Sequence, residues 1–412
     1  MADFNIPLDI DSLEIINQYT DKNGNFVLEV VSKKKHSTCH KCGKPATKRN
    51  GSAPTRLIRH LSVFDTPVYL KITPVRYTCE NCDHKATTTE QYDWCNRNSS
   101  TTKGLDDYIM RCLINSTIED VARKERLGQK LIQLSLDRQI GLEINWDLIK
   151  DIETVGLDEI AIKKGYKSFF TIVSAKSNDS SPIALGIIRG RLKEDVKSFL
   201  ESIPVRLRAT IKHVCTDMYD GYVNAAIEVF GVQCLVVDRY HVAKLYRKPL
   251  DKLRIKEMAR LKQALSANDY SKLEGMMWIL RTKNECLSEV DKGKLELLYK
   301  HSSILKKAHS YALRLTHIFN TYSNRKSAMA KIERWINKVE KSKINVFDSF
   351  INTLQKYKPY IGNYFKARKN SGFVEGLNNK IKVLKRRCYG LVKATSIFQR
   401  LFLDLQGYEC YA

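Results

Sequence analysis

The chain has 412 residues, 43% of them hydrophobic and 9% aromatic, which is long enough for two or three domains and apolar enough to exclude wholesale disorder. Its 70 Lys and Arg stand against 45 Asp and Glu, a formal charge of +25. Such a balance points to a polyanionic partner, nucleic acid ahead of a membrane surface, because neutralising phosphates releases condensed counterions. No apolar run approaches the roughly 18 residues of a membrane span. The acidic start Met1-Ala2-Asp3-Phe4-Asn5 leads into no apolar stretch, so neither a membrane partner nor a secretory signal is expected.

Residues 1–98 read as short strands and turns, with Phe26–Val31 and Val68–Ile72 as β-branched and aromatic runs bounded by Gly, Pro and Asn. Two C-x-x-C pairs, Cys39-His40-Lys41-Cys42 and Cys79-Glu80-Asn81-Cys82, each set two thiolates one turn apart. Four such sulfurs satisfy a tetrahedral Zn²⁺ site. The 36 residues between the pairs exceed the roughly 15–20 of a compact site and predict two knuckles joined by a strand excursion. Gly43 and His84 follow the pairs as tight turns prefer, and His36, His40 and His84 are close enough to substitute as ligands. Four unligated buried cysteines are the alternative. Cys95, Cys112, Cys215, Cys234, Cys286, Cys388 and Cys410 lack paired spacing and read as small hydrophobes. An odd count of 11 cysteines fits a reducing cytoplasm with a metal site better than a disulfide framework.

Residues 99–150 turn helical from about Leu105 to Ile140, with Gly128 between two apolar-periodic segments. Ser116-Thr117-Ile118-Glu119-Asp120-Val121-Ala122 opens like a capped helix. With Leu131, Ile132 and Leu134 beyond the break it matches a helix-turn-helix, in which Arg123, Lys124, Arg126 and Lys130 face DNA phosphates or base edges. An ordinary helical hairpin with a solvated basic face fits the same pattern.

Residues 151–245 alternate strand and helix. Thr154–Leu157 leads into Asp158; strands follow at 169–173 and 183–188, a helix at 195–203, a strand at 211–216 ending at Asp217, a helix at 223–230, and a strand at 233–237 ending at Asp238. This predicts an α/β sheet with acids at strand ends, where open sheets present their chemistry. Residues 246–366 read as nearly all helix. There Trp278 and Trp335 are candidates for stacking on unpaired bases, with core packing as the ordinary alternative. Residues 367–412 open on a last helix from Gly372 through Lys393.

The segments Val155-Gly156-Leu157-Asp158-Glu159, Cys215-Thr216-Asp217-Met218-Tyr219-Asp220-Gly221-Tyr222, Val237-Asp238-Arg239-Tyr240-His241-Val242 and Gly372-Phe373-Val374-Glu375-Gly376-Leu377-Asn378-Asn379-Lys380-Ile381-Lys382 together resemble the ISL-three group of bacterial insertion-sequence transposases. The likeness extends over nearly the whole chain. It implies a multidomain α+β fold: a zinc-ribbon-like module, a helix-turn-helix, and a ribonuclease-H-like α/β core interrupted by a large all-helical insertion. It also implies an Asp158, Asp217, Glu375 triad holding Mg²⁺ or Mn²⁺. Two such ions about 3.5–4 Å apart activate the nucleophile and steady the leaving oxygen in phosphodiester cleavage and strand transfer. Asp238 and His241, related by D-x-x-H spacing, and Asn379 are expected beside the metal ligands, and Lys380, Lys382, Lys385, Arg386 and Arg387 along the DNA backbone. The implied partners are double-stranded DNA, as element ends and target, and further copies of the chain in a dimer or larger assembly. The implied location is the cytoplasm of a bacterium, on the nucleoid when bound. A non-catalytic DNA-binding regulator and a junction nuclease are the rival readings; the intact acid set and the N-terminal DNA-reading segments argue against them.

Overall fold

A computed structural model describes residues 8–82, 85–141, 144–161, 169–177, 181–321, 323–368 and 372–411. It divides into two compact units. One comprises Met1–Leu142 with Leu384–Leu391 and Gln399–Ala412; the other comprises Glu143–Val383 with Val392–Phe398. No helix among the described residues is long and apolar enough to cross a membrane.

The first unit begins with β1 (Leu13–Thr20), β2 (Phe26–Ser32), β3 (Ser37–Thr38), β4 (Pro45–Ala46), β5 (Lys48–Ser52), β6 (Arg56–Val63), β7 (Thr66–Ile72), β8 (Val75–Thr78) and β9 (Thr87–Thr89). Four strands form a sheet in the order β1-β2-β7-β6, with β2 and β7 parallel. Alternate residues Leu28, Val30, Val68, Leu70 and Ile72 are buried with Leu13 and Ile58, the period-2 pattern of a one-sided sheet. β3 pairs with β4 and β8 with β9, two hairpins that carry the C-x-x-C pairs. The excursion between the pairs is the β6–β7 hairpin, which leaves to complete the larger sheet.

Three helices follow, α1 (Lys103–Leu113), α2 (Ile118–Glu125) and α3 (Gln129–Gln139). Thr102 and Thr117 cap α1 and α2 by accepting from Leu105 N and Asp120 N, satisfying donors that a helix start leaves orphaned. α2 ends on Arg126 in the left-handed region, φ +51°, leaving three residues before α3. Leu105, Ile109, Leu113, Val121, Ile132 and Leu136 bury a common core. Asp106, fully buried, ties α1 to α3: it accepts from Thr101 Oγ1 and Ser135 Oγ at 2.7 Å and from Arg138 at 2.8 Å. A buried carboxylate is tolerable only with this degree of pairing.

The second unit holds β10 (Thr154–Ala161), β11 (Phe169–Lys176), β12 (Ile183–Arg189), α4 (Lys193–Ser202), α5 (Val205–Arg208), β13 (His213–Thr216), α6 (Asp220–Phe230) and β14 (Leu235–Val237). The strand order is β12-β11-β10-β13-β14. The first three strands run as an antiparallel meander, while β13 and β14 join parallel to β10. β10, β13 and β14 are nearly continuous apolar runs, as strands buried on both faces require.

Helices then follow as α7 (Arg239–Ala264), α8 (Ala267–Ser271), α9 (Met276–Ile279), α10 (Glu289–His301), α11 (Ser303–Asn320), α12 (Arg325–Lys341), α13 (Asp348–Lys356) and α14 (Lys358–Ala367). α7 is one uninterrupted helix through the expected boundary at residues 245 and 246. The helices also share one apolar core with the sheet, from Ile152 through Phe365. Asn363, on α14, donates to Val232 O and Leu235 O at 2.9 and 2.7 Å, so α14 covers the outer edge of β14, which would otherwise expose unpaired backbone groups. Trp335 is buried, whereas Trp278 is 68% exposed.

The last helix expected over 372–393 ends six residues early, as α15 (Gly372–Arg387), and a further helix follows, α16 (Ala394–Tyr411). The break follows from Tyr389 and Gly390, both at positive φ, a conformation that ends a helix. Within the first unit, Arg400 on α16 donates to Leu113 O at 2.9 Å, and Arg387 is paired with Asp404.

Candidate functional site

Cys39, Cys42, Cys79 and Cys82 present sulfurs that all lie within 4.8 Å of one another. Cys39 and Cys82 are 3.6 Å apart, as are Cys42 and Cys79, far longer than a disulfide. Four sulfurs about 2.3 Å from a central ion in tetrahedral geometry lie about 3.8 Å apart, so this set fits zinc. The hairpins are shaped to present them. Gly43 N donates to Cys39 O with Gly43 at φ +70°, and Lys85 N donates to Cys82 O with Lys85 at φ +42°. Backbone N–H groups of Cys42 and Lys41 hold the Cys39 thiol down to about 6. The Cys79 thiol is pushed up by burial, and that of Cys82 by its hydrogen bond with Cys42 and then by burial. Four adjacent thiols cannot all ionise unaided; a divalent cation removes that conflict. His40 is engaged instead with Thr88 Oγ1, at 2.9 Å, and His84 lies outside the described residues.

Three aspartates lie level on the other unit's sheet, although among the described residues only the four cysteines gather closely enough to hold an ion as they stand. β10 and β13 pair with Gly156 opposite Cys215, and β13 and β14 pair with Thr216 opposite Val237. Continuing both registers brings Asp158, Asp217 and Asp238 level on three neighbouring parallel strands, with Asp217 and Asp238 just past the carboxyl ends of β13 and β14; β10 does not end at Asp158 as expected but runs on to Ala161, held by its pairing with β11. Asp158 and Asp217 are half-buried, and burial pushes both carboxyls above the ordinary carboxylate range. A positive charge on His241 would oppose that rise at both positions. Asp158 accepts from Glu159 N at 2.8 Å and Asp217 from Tyr219 N at 3.0 Å. Asp238 is buried, and its carboxylate caps α7 by accepting from Tyr240 N at 3.0 Å.

Helix α15 is docked on β10. A Cβ at Gly156 would stand 2.2 Å from Val374 Cγ2 and 2.8 Å from Ser174 Oγ, so only glycine allows this approach. From that seat Asn378 Nδ2 donates to Asp158 Oδ2 at 2.7 Å. Asn378 Oδ1 is buried with no partner among the described residues, and such an orphaned acceptor calls for a donor or a cation. Glu375 is exposed and lies one turn before Asn378 on the neighbouring side of the helix, as an i, i+3 pair does. Asn379 is exposed and accepts from Lys382 at 3.3 Å, so it is Asn378 that touches an acid. Spacing from Glu375 does not separate the two, because i+3 and i+4 share a face. Arg191 carried no signal in the sequence: its guanidinium pairs with Glu159 at 2.9 Å and lies 4.6 Å from the Tyr219 ring centroid and 4.9 Å from that of Phe169, beside Asp217.

Of the basic residues, Arg123, Lys124, Arg126, Lys130, Lys382 and Arg386 are exposed, with Arg123 paired to Glu119 at 2.9 Å. Lys380, Lys385 and Arg387 are half-buried, and burial draws the Lys385 ammonium down.

The profile of a transposase family of the ISL3 group matches residues 155–401. That of the zinc-finger of the IS204/IS1001/IS1096/IS1165 transposases matches residues 35–82. The transposase for insertion sequence element IS1001 of Bordetella parapertussis is 26% identical over 354 residues, 85% of this chain and 84% of that protein. The transposase for IS1557 of Mycobacterium tuberculosis is 21% identical over 393 residues, 90% of this chain and 86% of that one. The matched stretches contain both C-x-x-C pairs and Asp158, Asp217, Asp238 and Glu375, and the chain belongs to the ISL3-group family of insertion-sequence transposases.

Proposed function

We propose that the protein binds the terminal inverted repeats of its element as double-stranded DNA, cuts them, and joins them to target DNA, with Asp158, Asp217 and Glu375 as the acid triad. The observation that carries this reading is the level register of Asp158 and Asp217 on parallel strands, with α15 seated on Asp158 through Asn378. The strand order, an antiparallel meander followed by two parallel strands, supports a ribonuclease-H-like core over 151–245 closed by a final helix from 367–412 and interrupted by helices over 246–366.

Bound Mg²⁺ or Mn²⁺ would activate the attacking oxygen and stabilise the leaving one. The residues fit such an ion: two acids driven toward protonation by burial, an exposed third acid one turn from Asn378, the partner of Asp158, and an amide oxygen unpaired among the described residues. Asp158 and Asp217 hold the fixed side of the site. Asn378 fixes the rotamer of Asp158, Asp238 caps α7 and thereby orients His241, and Arg191 offers positive charge beside Asp217 for a phosphate. The module of residues 1–98 holds structural zinc. The segment 99–150, with its three-residue turn between α2 and α3, reads DNA as a helix-turn-helix through Arg123, Lys124, Arg126 and Lys130. Two ends must be synapsed, so the working form is a dimer or larger. Incubating the protein with labelled end DNA and Mg²⁺ or Mn²⁺ and mapping the nicks tests the proposal; absence of metal-dependent cuts at the element's ends would overturn it.

A further inference from the structure

Helix α7 leaves the sheet immediately after Asp238 and carries a basic groove away from the acids. Tyr240, Lys244, Arg247, Asp251 and Arg254 recur every three or four residues, so they share one face. From Tyr240 to Arg254 that face runs about 21 Å. Tyr240, Lys244, Arg247 and Lys248 line its shallow end. Farther along it deepens into a cavity of about 250 Å³ between α7, α11 and the segment from α9 through Lys283.

The lining holds seven cations, Arg239, Lys244, Arg247, Lys248, Arg254, Arg281 and Lys283, against the single carboxylate of Asp251. Asp251 is fully used by Arg254 at 2.8 Å and Arg281 at 3.0 Å. Among the described residues no carboxylate pairs with Lys244, Arg247, Lys248 or Lys283. Between those cations the recess is lined by apolar Leu250, Met277 and Leu280 alongside the polar His309, Thr316 and Asn320. Tyr240, at the mouth, is 55% exposed despite its large ring.

We infer that this groove binds an unpaired stretch of DNA strand, continuous with the strand held at Asp158 and Asp217. A cationic rim tracks a phosphate backbone, and an exposed ring with a partly apolar recess accepts bases by their faces; together these are the requirements of a single strand. A duplex keeps its bases stacked inside and has no use for such a recess. The inference rests on the proposed cleavage function, because it identifies which DNA the acids would meet.

The test uses the full-length protein with Lys244→Glu, Arg247→Glu and Lys248→Glu combined. All three positions are exposed, and an unchanged circular dichroism melt verifies the fold. Binding is measured by fluorescence anisotropy against a short single-stranded oligonucleotide and a blunt duplex of the same sequence, over a salt series. The single-strand affinity should fall about tenfold or more, and its slope against log salt should flatten by about 2, at roughly 0.7 per lost phosphate contact. Duplex affinity should stay within about twofold, because Arg123, Lys124, Arg126 and Lys130 are untouched. Unchanged single-strand binding overturns the inference, and so does an equal loss on both DNAs, which would make the face a duplex contact. Displacement of the oligonucleotide by polyglutamate as readily as by DNA also overturns it, in favour of an acidic polypeptide. Nick mapping in parallel separates the two readings. A wild-type protein that cuts nothing, while the triple variant still loses single-strand binding, removes the cleavage reading and leaves the groove standing.

Discussion

The thiols of Cys39, Cys42, Cys79 and Cys82 reach one another from two tight hairpins, whereas Asp158 meets Asn378 across a separation of 220 residues. The first cluster is closed: four donors, two of them buried, all within 4.8 Å and with no open position. The second is open. Its fixed acids lie midway along β10 and just past the end of β13, the third acid is exposed, and Asn378 Oδ1 lacks a partner among the described residues. Closed sets of four ligands hold structural metal, while sites that keep a free position do chemistry. Removing a ligand should therefore cost folding at one cluster and turnover at the other.

The largest expected effect is on the closed cluster. Structural zinc supplies apparent free energies of about 10–16 kcal/mol to small modules, so Cys79→Ser should abolish stoichiometric zinc and unfold the module. Metal analysis with limited proteolysis checks this, and a protein that keeps its order without zinc would break the contrast. At the open cluster, Asp158→Asn, Asp217→Asn or Glu375→Gln should each lower cleavage about 10³-fold or more, since metal-borne stabilisation amounts to several kcal/mol, while end binding stays nearly intact. Nicking and gel-shift assays on the same preparations measure both; near-normal nicking removes that residue from the triad.

How much of this was legible in the sequence follows from the same contrast. C-x-x-C spacing is local, so the zinc set could be read directly. The excursion between the pairs was visible only as length, because a parallel partnership between Phe26–Ser32 and Thr66–Ile72 leaves no trace in spacing. Strand ends at Asp217 and Asp238 were legible from apolar runs, whereas β10 continues past Asp158 to Ala161, and the common level of the three acids depends on register, which pairing sets. Asn378 and Asn379 are adjacent in sequence, and only the seat of α15 on Gly156 decides which of them turns to the acid. The break at Tyr389 and Gly390 was missed because the apolar period runs through it.

A smaller effect tests whether that seat matters. Gly156→Ala places a methyl against Val374 and Ser174, and overpacking of this kind costs about 1–3 kcal/mol. The larger consequence is positional: a shift of about 1 Å at a reacting centre can cost about 10²-fold. Cleavage should fall by that order, with zinc content unchanged. A variant that loses stability but cuts normally would mean that the position of α15 is not critical to the open site.

The smallest effect concerns protons, and it separates the clusters without touching cleavage. In the metal-free protein, burial raises the Asp158 and Asp217 carboxyls above the usual value. The folded state therefore binds more protons than the unfolded chain in the window above the ordinary carboxylate pKa, near 4. Stability contributed by these groups is fully present below that value and is lost as pH rises through the raised folded pKa. Each tenfold difference in proton affinity is worth about 1.4 kcal/mol. Melting temperatures of the metal-free carboxylate unit should thus decline as pH rises through that window. Asp217→Asn should flatten the trend, because an amide does not titrate. Mn²⁺ should reverse it, because the ion binds the ionised pair and competes with the protons. Thermal melts with and without Mn²⁺, in wild type and Asp217→Asn, give all four curves. A decline that persists unchanged in the variant would assign the proton uptake to other groups and leave the open cluster without its electrostatic signature.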